Sequence, residues 1–273
     1  MPNLHRLLQQ AAVGLMPVAA PSDPDPNRTW ASLSAGKRAV GAPNLGAVRL
    51  TPEVGWRTDL AAVQDANRRA DTSARVGLLG EALQRGGIRS RVIADRYQER
   101  CPAFAVLANQ FGWAGGLAVP PAGWSLPDGW IRAALDDCAV VLLSVSSVAE
   151  ADSRTRPRSP SDLPKPKAAA LKEADRLLGL ALAALRAHGG RLIVLAPASP
   201  DYLDAHCRTL GPVIAYDTRR PESPGLLYSP STRWPGLVTA ADFAPTILHW
   251  SEAQARPGAD DMDGRVMHVL PAP

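Results

Sequence analysis

The sequence has few of the features that mark a disulfide-stapled, zinc-binding or membrane-spanning protein. Only three cysteines occur among 273 residues, and no two of them form a CxxC pair. We therefore expect three separate, buried or half-buried thiols and no cysteine-based zinc site. No apolar run reaches the roughly 18 to 20 residues that a membrane-spanning helix needs, and the N-terminal segment lacks the pattern of a signal peptide. We expect a soluble chain, and the sequence leaves its compartment open.

Strong charge of one sign is also missing. The formal net charge is +4 and the pI is about 9.2, with an excess that is spread thinly and consists mostly of arginine. No basic stripe with interleaved aromatic residues appears, so we expect no nucleic-acid partner. A moderate positive charge favours anionic ligands, and a small anion is the ligand that we expect. The oligomeric state has no signature in the sequence.

Three common site motifs are absent as well. The chain contains no G-x-x-x-x-G-K-[ST] loop, no G-x-G-x-x-G fingerprint and no G-x-S-x-G elbow. Chemistry that depends on these motifs is therefore not predicted.

The apolar pattern predicts an α/β protein. Residues 138–146, 191–198 and 211–218 are nearly continuous apolar runs, typical of buried strands, and 88–95 alternates like a strand. A long amphipathic helix is predicted from Pro166 to about His188, where two glycines follow. Strands and helices that alternate in this order predict a doubly wound, mostly parallel sheet with helices on both faces.

We interpret residues 1–273 as a single domain, which is a usual size for a large α/β unit. Two segments interrupt its regular pattern. Residues 101–130 are rich in proline and glycine and read as an irregular insert with one short strand. Residues 153–167 form a basic, Pro/Ser-rich stretch that we interpret as an exposed loop.

Residues 225–248, GLLYSPSTRWPGLVTAADFAPTIL, resemble the C-terminal part of the alkaline phosphatase superfamily. That group includes cofactor-independent phosphoglycerate mutases, sulfatases and nucleotide phosphodiesterases. In many members a Pro-Gly-Leu/Ile-Val strand leads into an Asp-Ile/Leu-Ala-Pro-Thr helix. Asp242 is a natural helix cap and Pro245 suits a first turn, so the motif indicates fold rather than chemistry. The N-terminal segments are similar to the superfamily only in outline.

The resemblance implies two divalent metals, zinc or manganese, that activate a Ser or Thr nucleophile and hold a phosphoryl or sulfuryl group. The nucleophile then falls on Thr29 or Ser32, in a small-residue segment that reads as a helix N-terminus. Lys37 and Arg38 follow as anion-binding residues. The alternative from the residues alone is that Thr29 is an N-cap and the basic pair is a solvated turn.

The sequence departs from the metal-ligand pattern that the resemblance implies. The strand at 138–146 should be followed by Asp-x-x-x-His, but Asp152 stands there without a histidine. The strand at 191–198 should end in Asp-His, but it ends in Pro197-Ala198-Ser199-Pro200. We also interpret the chain as starting after the first strand of the fold, which would carry a further aspartate.

Three hypotheses about function remain. The first is a catalytically degenerate domain of this superfamily, a pseudoenzyme or binding or structural module that needs no cofactor and fits a membrane-linked parent protein. The second is a metal-dependent hydrolase of phosphate or sulfate esters with an altered site. It would use Asp152 or Asp201 as acids, with His206 as the one histidine near acids after a strand. The third is an unrelated doubly wound domain that binds a small anion.

Overall fold

A computed structural model describes residues 1–19, 25, 27–51, 55–96, 100–121, 124–154, 164–198, 210–220, 224–252 and 259–271. The helices are α1 (Pro2–Leu8), α2 (Arg28–Ala35), α3 (Ala61–Arg69), α4 (Leu78–Arg85), α5 (Pro102–Leu107), α6 (Asp128–Asp137), α7 (Ser147–Arg154), α8 (Lys165–His188) and α9 (Phe243–Trp250), with 3₁₀ turns η1 (Ala240–Asp242) and η2 (Ala259–Asp261). The strands are β1 (Ala12–Pro17), β2 (Val48–Thr51), β3 (Gly55–Thr58), β4 (Ser90–Ala94), β5 (Leu117–Ala118), β6 (Val140–Ser144), β7 (Arg191–Leu195), β8 (Leu210–Asp217), β9 (Gly225–Tyr228) and β10 (His268–Pro271).

Helices and two larger sheets confirm the α/β class. One sheet has three parallel strands in the order β5-β4-β6, as expected for strands joined by helical crossovers. The other has five strands in the order β10-β9-β1-β8-β7 and is mixed. In it β1 is parallel to β9, whereas β8 is antiparallel to both β1 and β7, and β10 is antiparallel to β9. Strands β2 and β3 form a separate antiparallel pair.

A central strand lies where the sequence interpretation expected the first strand to be missing. Strand β1 sits between β9 and β8, and its residues alternate between buried and more exposed positions, with Met16 fully buried. The short helix α1 precedes it and α2 follows it. The leucine and alanine spacing over residues 3–12 predicts a helix, and the superfamily resemblance adds a strand after it. In the structure α1 ends earlier, at Leu8, and β1 begins at Ala12 with the period of two of a pleated strand.

Helix α8 agrees with the predicted long helix. It spans Lys165–His188, buries Leu177, Leu182 and Leu185, and ends at Gly189, whose φ of 74° suits glycine. It packs against α1, α6 and α7. None of the described helices combines the length and the apolar character that crossing a bilayer requires.

The two segments that interrupt the sequence pattern have different outcomes. The segment 101–130 contains a buried helix, α5, which the sequence interpretation missed because only six residues carry it, and the short strand β5. Of the segment 153–167, the described ends continue α7 to Arg154 and start α8 at Lys165. Residues 155–163 lie outside the described part of the chain.

Candidate site at the carboxyl edge of the strands

Strand β8 separates β1 from β7 within the sheet, but the segments that leave their carboxyl ends meet at the edge where open α/β sheets usually bind ligands. A parallel bridge joins Ala19, just past β1, to Ala198, just past β7. The segments 20–24 and 199–209 that continue these ends lie outside the described residues, and they include the predicted acid Asp201 and the histidine His206. Helix α2 begins close by, after residue 27.

Thr29 is the second residue of α2, and Asn27 holds the N-cap position that the sequence alternative gave to Thr29. Its hydroxyl accepts a hydrogen bond of 3.1 Å from the backbone N–H of Ala19. Only 3% of Thr29 is exposed. Thr29 therefore fastens the start of α2 to the end of β1.

Ser32 lies one turn later in α2 and is also nearly buried. Its hydroxyl donates to the carbonyl of Arg28 at 2.8 Å and accepts from the N–H of Ala39 at 3.0 Å. The second bond ties the chain after α2 back onto the helix. The Ser32 hydroxyl therefore satisfies a backbone donor and a backbone acceptor at once.

The predicted anion-binding residues lie at the other end of α2. Lys37 pairs with Asp263 at 3.3 Å and donates to Ser73 at 2.9 Å, whereas Arg38 is exposed. Helix α2 ends at Ala35, so Lys37 lies just past its C-terminus, whereas Thr29 lies in its first turn. The structure does not bring this basic pair to the Thr29 hydroxyl.

Asp152, the acid predicted to follow β6, forms an ion pair with Lys167. The carboxylate and ammonium groups are 2.5 Å apart, and the two side chains are only 10% and 13% exposed. Because Asp152 is in α7 and Lys167 is in α8, the pair links these helices across the segment 155–163.

Asp95 was missed by the sequence reasoning. It directly follows β4, and its carboxylate accepts hydrogen bonds from the N–H and hydroxyl of Ser146 and from the N–H of Ser147, at 2.8 to 3.0 Å. These donors belong to the start of α7, so Asp95 caps that helix from a neighbouring strand. The signal in the sequence was an acid at the end of one strand and two serines at the end of the next.

Two cysteines are buried free thiols, as expected, and Cys207 lies outside the described residues. Cys101 lies beside Ser144 and Asp95 at the same strand ends, and burial raises the pKa of its thiol. A raised pKa lowers the thiolate fraction at neutral pH. Burial of Cys101 therefore favours the neutral thiol over the thiolate.

Asp242, from the superfamily-like motif, is completely buried and structural. Its carboxylate accepts bonds from the Ser231 hydroxyl at 2.6 Å, the Thr239 N–H at 2.8 Å and the Arg265 N–H at 2.9 Å. With Thr239 it forms a capping box on η1, so its side chain caps this turn rather than α9 itself. The motif thus holds three segments together, in agreement with its interpretation as scaffold.

The described donor groups at these strand ends do not fit two divalent metals. Over the described ranges, no three His, Cys, Asp or Glu side chains come close enough to hold an ion. The Asp95 and Asp242 carboxylates bind backbone N–H groups and hydroxyls, and Asp152 binds Lys167. A metal would have to displace these partners, so we derive no step through one.

Comparison with known proteins identifies the fold. No family model matches the sequence, and no curated protein matches it. Among solved structures, the alkaline phosphatase from the Antarctic bacterium TAB5 matches with a TM-score of 0.51 and 13% identity, over 90% of each chain. Two magnesium-bound variants of that phosphatase match over the same shares with TM-scores of 0.48 and identities of 13% and 12%. The chain has an alkaline-phosphatase-like α/β fold.

Proposed function

We propose that this chain is a divergent domain of the alkaline phosphatase superfamily that does not hydrolyse esters and acts as a binding or structural module. One observation carries the proposal. Four of the predicted site residues, Thr29, Ser32, Lys37 and Asp152, already have partners that stabilise the fold. We also propose that its relatives within the superfamily are the phosphoglycerate mutases or the sulfatases.

Among the residues that the structure describes, neither predicted nucleophile contacts a group that can take its proton. A hydroxyl nucleophile needs a base or a metal within hydrogen-bond reach. The partner of Thr29 is a backbone N–H, which is a donor, and Ser32 donates to a carbonyl, which is not a base at neutral pH. The predicted positive charge for a phosphoryl oxygen, on Lys37, lies past the far end of α2 from Thr29 and is paired with Asp263.

A metal-dependent hydrolase of phosphate or sulfate esters is the second candidate. The bridge between Ala19 and Ala198 favours it, because Ala198 lies beside the strand end that Thr29 contacts and precedes Asp201 and His206 by only a few residues in the sequence. In this case Asp201 and His206 would have to supply ligands for zinc or manganese, with Thr29 as the nucleophile.

Metal analysis together with an aryl-phosphate and aryl-sulfate assay distinguishes the two candidates. We expect no turnover above that of buffer containing zinc or manganese, and the same result for Thr29→Ala and Thr29→Ser. Thr29→Ala should instead lower the free energy of unfolding by about 1 kcal/mol, because the Ala19 N–H loses its acceptor.

The opposite pattern would refute the proposal. It consists of two metals per chain with turnover that Thr29→Ala abolishes and Thr29→Ser retains, at unchanged secondary structure by circular dichroism. Loss of the same turnover in Asp201→Asn and His206→Gln would then assign the ligands.

A further inference from the structure

A cleft of about 540 Å³ opens at the amino edge of β1 and β7, opposite the edge described above. Gln10, just before β1, and Arg191, the first residue of β7, both line it. Strand β1 has six residues, so about 20 Å of sheet separates the cleft from Thr29. The cleft is therefore distinct from the candidate site at the carboxyl edge of the strands.

The described lining of the cleft carries a net positive charge. Three arginines, Arg191, Arg219 and Arg220, face one acidic side chain, and two histidines, His249 and His268, also line the cleft. The acid is Asp217, and it is already engaged. Its carboxylate accepts from the Arg191 side chain at 2.9 Å and from the backbone N–H of Arg219 at 2.9 Å.

The guanidinium groups of Arg219 and Arg220 are available to a ligand. Both residues are exposed, and within the described part of the chain neither has a carboxylate at ion-pair distance. Two neighbouring guanidinium groups match the geometry of phosphate oxygens, which they bind in pairs of parallel hydrogen bonds.

The turn that presents these two arginines is fixed before any ligand binds. The Thr218 hydroxyl binds both the N–H and the carbonyl of Gly190, at 2.7 and 3.0 Å. The Thr218 N–H donates to the same carbonyl at 2.9 Å. A turn that is already ordered loses little backbone entropy on binding, which favours affinity.

The remaining wall suits an organic body rather than an inorganic ion alone. The Arg191 guanidinium lies over the Trp250 ring, 5.3 Å from its centroid, so it is held in place by the ring and by Asp217. Val266, Val269 and Pro271 add apolar surface. A cleft of this size is within the range of small-molecule sites.

We propose that this cleft binds a small organic polyanion, a phosphate ester of about nucleotide size, through Arg219 and Arg220. The proposal does not depend on whether the opposite edge hydrolyses esters. It adds a ligand class to the idea of a binding module, and it would also hold for an active hydrolase.

Isothermal titration calorimetry with three probes tests it, with EDTA present to prevent metal-dependent turnover. We expect ATP to bind, inorganic tripolyphosphate to bind more weakly, and adenosine to give no signal. Affinity for ATP should fall as salt rises from about 0.05 to 0.5 M, because exposed charges are screened.

The decisive variant is R219Q/R220Q, with R68Q/R69Q as its matched control. Both remove two exposed positive charges at neighbouring positions, and the second pair ends α3, away from the cleft. We expect ATP affinity to fall about 10- to 100-fold in the first variant and to stay within about twofold in the second. The backbone bonds of the turn remain, so the melting temperature should not change. An absence of ATP binding, or an equal loss in both variants, would overturn the proposal.

Discussion

The two edges of the five-stranded sheet use their polar side chains in opposite ways. At the carboxyl edge, Thr29 and Asp242 are buried, and their oxygens bind backbone groups or hydroxyls of this chain. At the amino edge, Arg219 and Arg220 are exposed on a fixed turn, and Asp217, the one acid in the described lining of the cleft, is bound to Arg191. Among the described residues, the polar groups of the carboxyl edge thus have partners, whereas these two guanidinium groups have no carboxylate at ion-pair distance.

This difference shows that polar side chains at a sheet edge can stabilise the fold without forming a ligand site. Side chains that a metal or substrate would need have become the links between strands and helices at the carboxyl edge. Buried polar groups are costly when unpaired and rigidify the structure when paired. A ligand gains most where charged groups on an ordered backbone have no counter-charge, and among the described residues Arg219 and Arg220 meet that condition at the amino edge.

The largest effect that we expect is from Asp242→Ala. The substitution leaves the N–H groups of Thr239 and Arg265 and the hydroxyl of Ser231 without their acceptor in a buried site. We expect the free energy of unfolding to fall by about 4 kcal/mol, measured by urea denaturation.

Asp263→Ala is the matched control for Asp242→Ala. It also removes one aspartate carboxylate, but the Asp263 side chain is 72% exposed and pairs with Lys37. An exposed ion pair of this kind contributes about 0 to 1 kcal/mol. If both variants lost the same stability, the carboxyl edge would not be the rigid frame that the comparison requires.

A second test breaks the ion pair between Asp152 and Lys167. Lys167→Met should lower the free energy of unfolding by about 2 kcal/mol, because it leaves the Asp152 carboxylate largely buried without its counter-charge. Lys165→Met, at an exposed position in the same helical turn, should change little.

The double variant D152N/K167M tests whether the loss of stability in Lys167→Met comes from the unpaired Asp152 carboxylate. Removing both charges should recover part of the loss, and a thermodynamic cycle would then report the coupling. Additive losses would mean that the Lys167 side chain acts through its methylene contacts instead, and that Asp152 is available for chemistry.

Much of the fold was predictable from local pattern. Helix α8 and strands β4, β6, β7 and β8 coincide closely with their apolar runs, because long periodic segments carry the strongest signal. The first helix was predicted to extend to residue 12, where β1 begins, and α5 was missed, because a few apolar residues fit either period. The antiparallel placement of β8 between β1 and β7 depends on pairing that no local pattern encodes.

The candidate site was less predictable than the fold. Residue type and position in the sequence pointed to Thr29 and Asp152. The sequence could not indicate that Thr29 would accept a hydrogen bond from Ala19, or that Asp152 would form an ion pair with Lys167. The cleft at the amino edge was invisible for a related reason. Arg191 and Arg219 come together with Trp250 only through the pairing of β7 with β8 and the packing of α9.

The smallest expected effect concerns a titrating contact at the amino edge. His188 ends α8 just before β7, and its imidazole contacts the Asp136 carboxylate at 2.5 Å and the Ala184 carbonyl at 2.8 Å. The hydrogen bond to Asp136 raises the pKa of His188 above its ordinary value of 6.5. The protonated form is therefore favoured in the folded state, so the contact stabilises fully below 6.5 and its contribution disappears as pH rises through the raised pKa.

His188→Gln should therefore be less stable than the wild type by a small margin near pH 5.5, and this margin should shrink toward pH 8.5. Urea midpoints at the two pH values measure it. Asp136→Asn should show the same shrinking margin, and the double variant should lose no more than either single one, because both changes remove one contact. A margin that stays constant or grows with pH would show that His188 acts through packing alone.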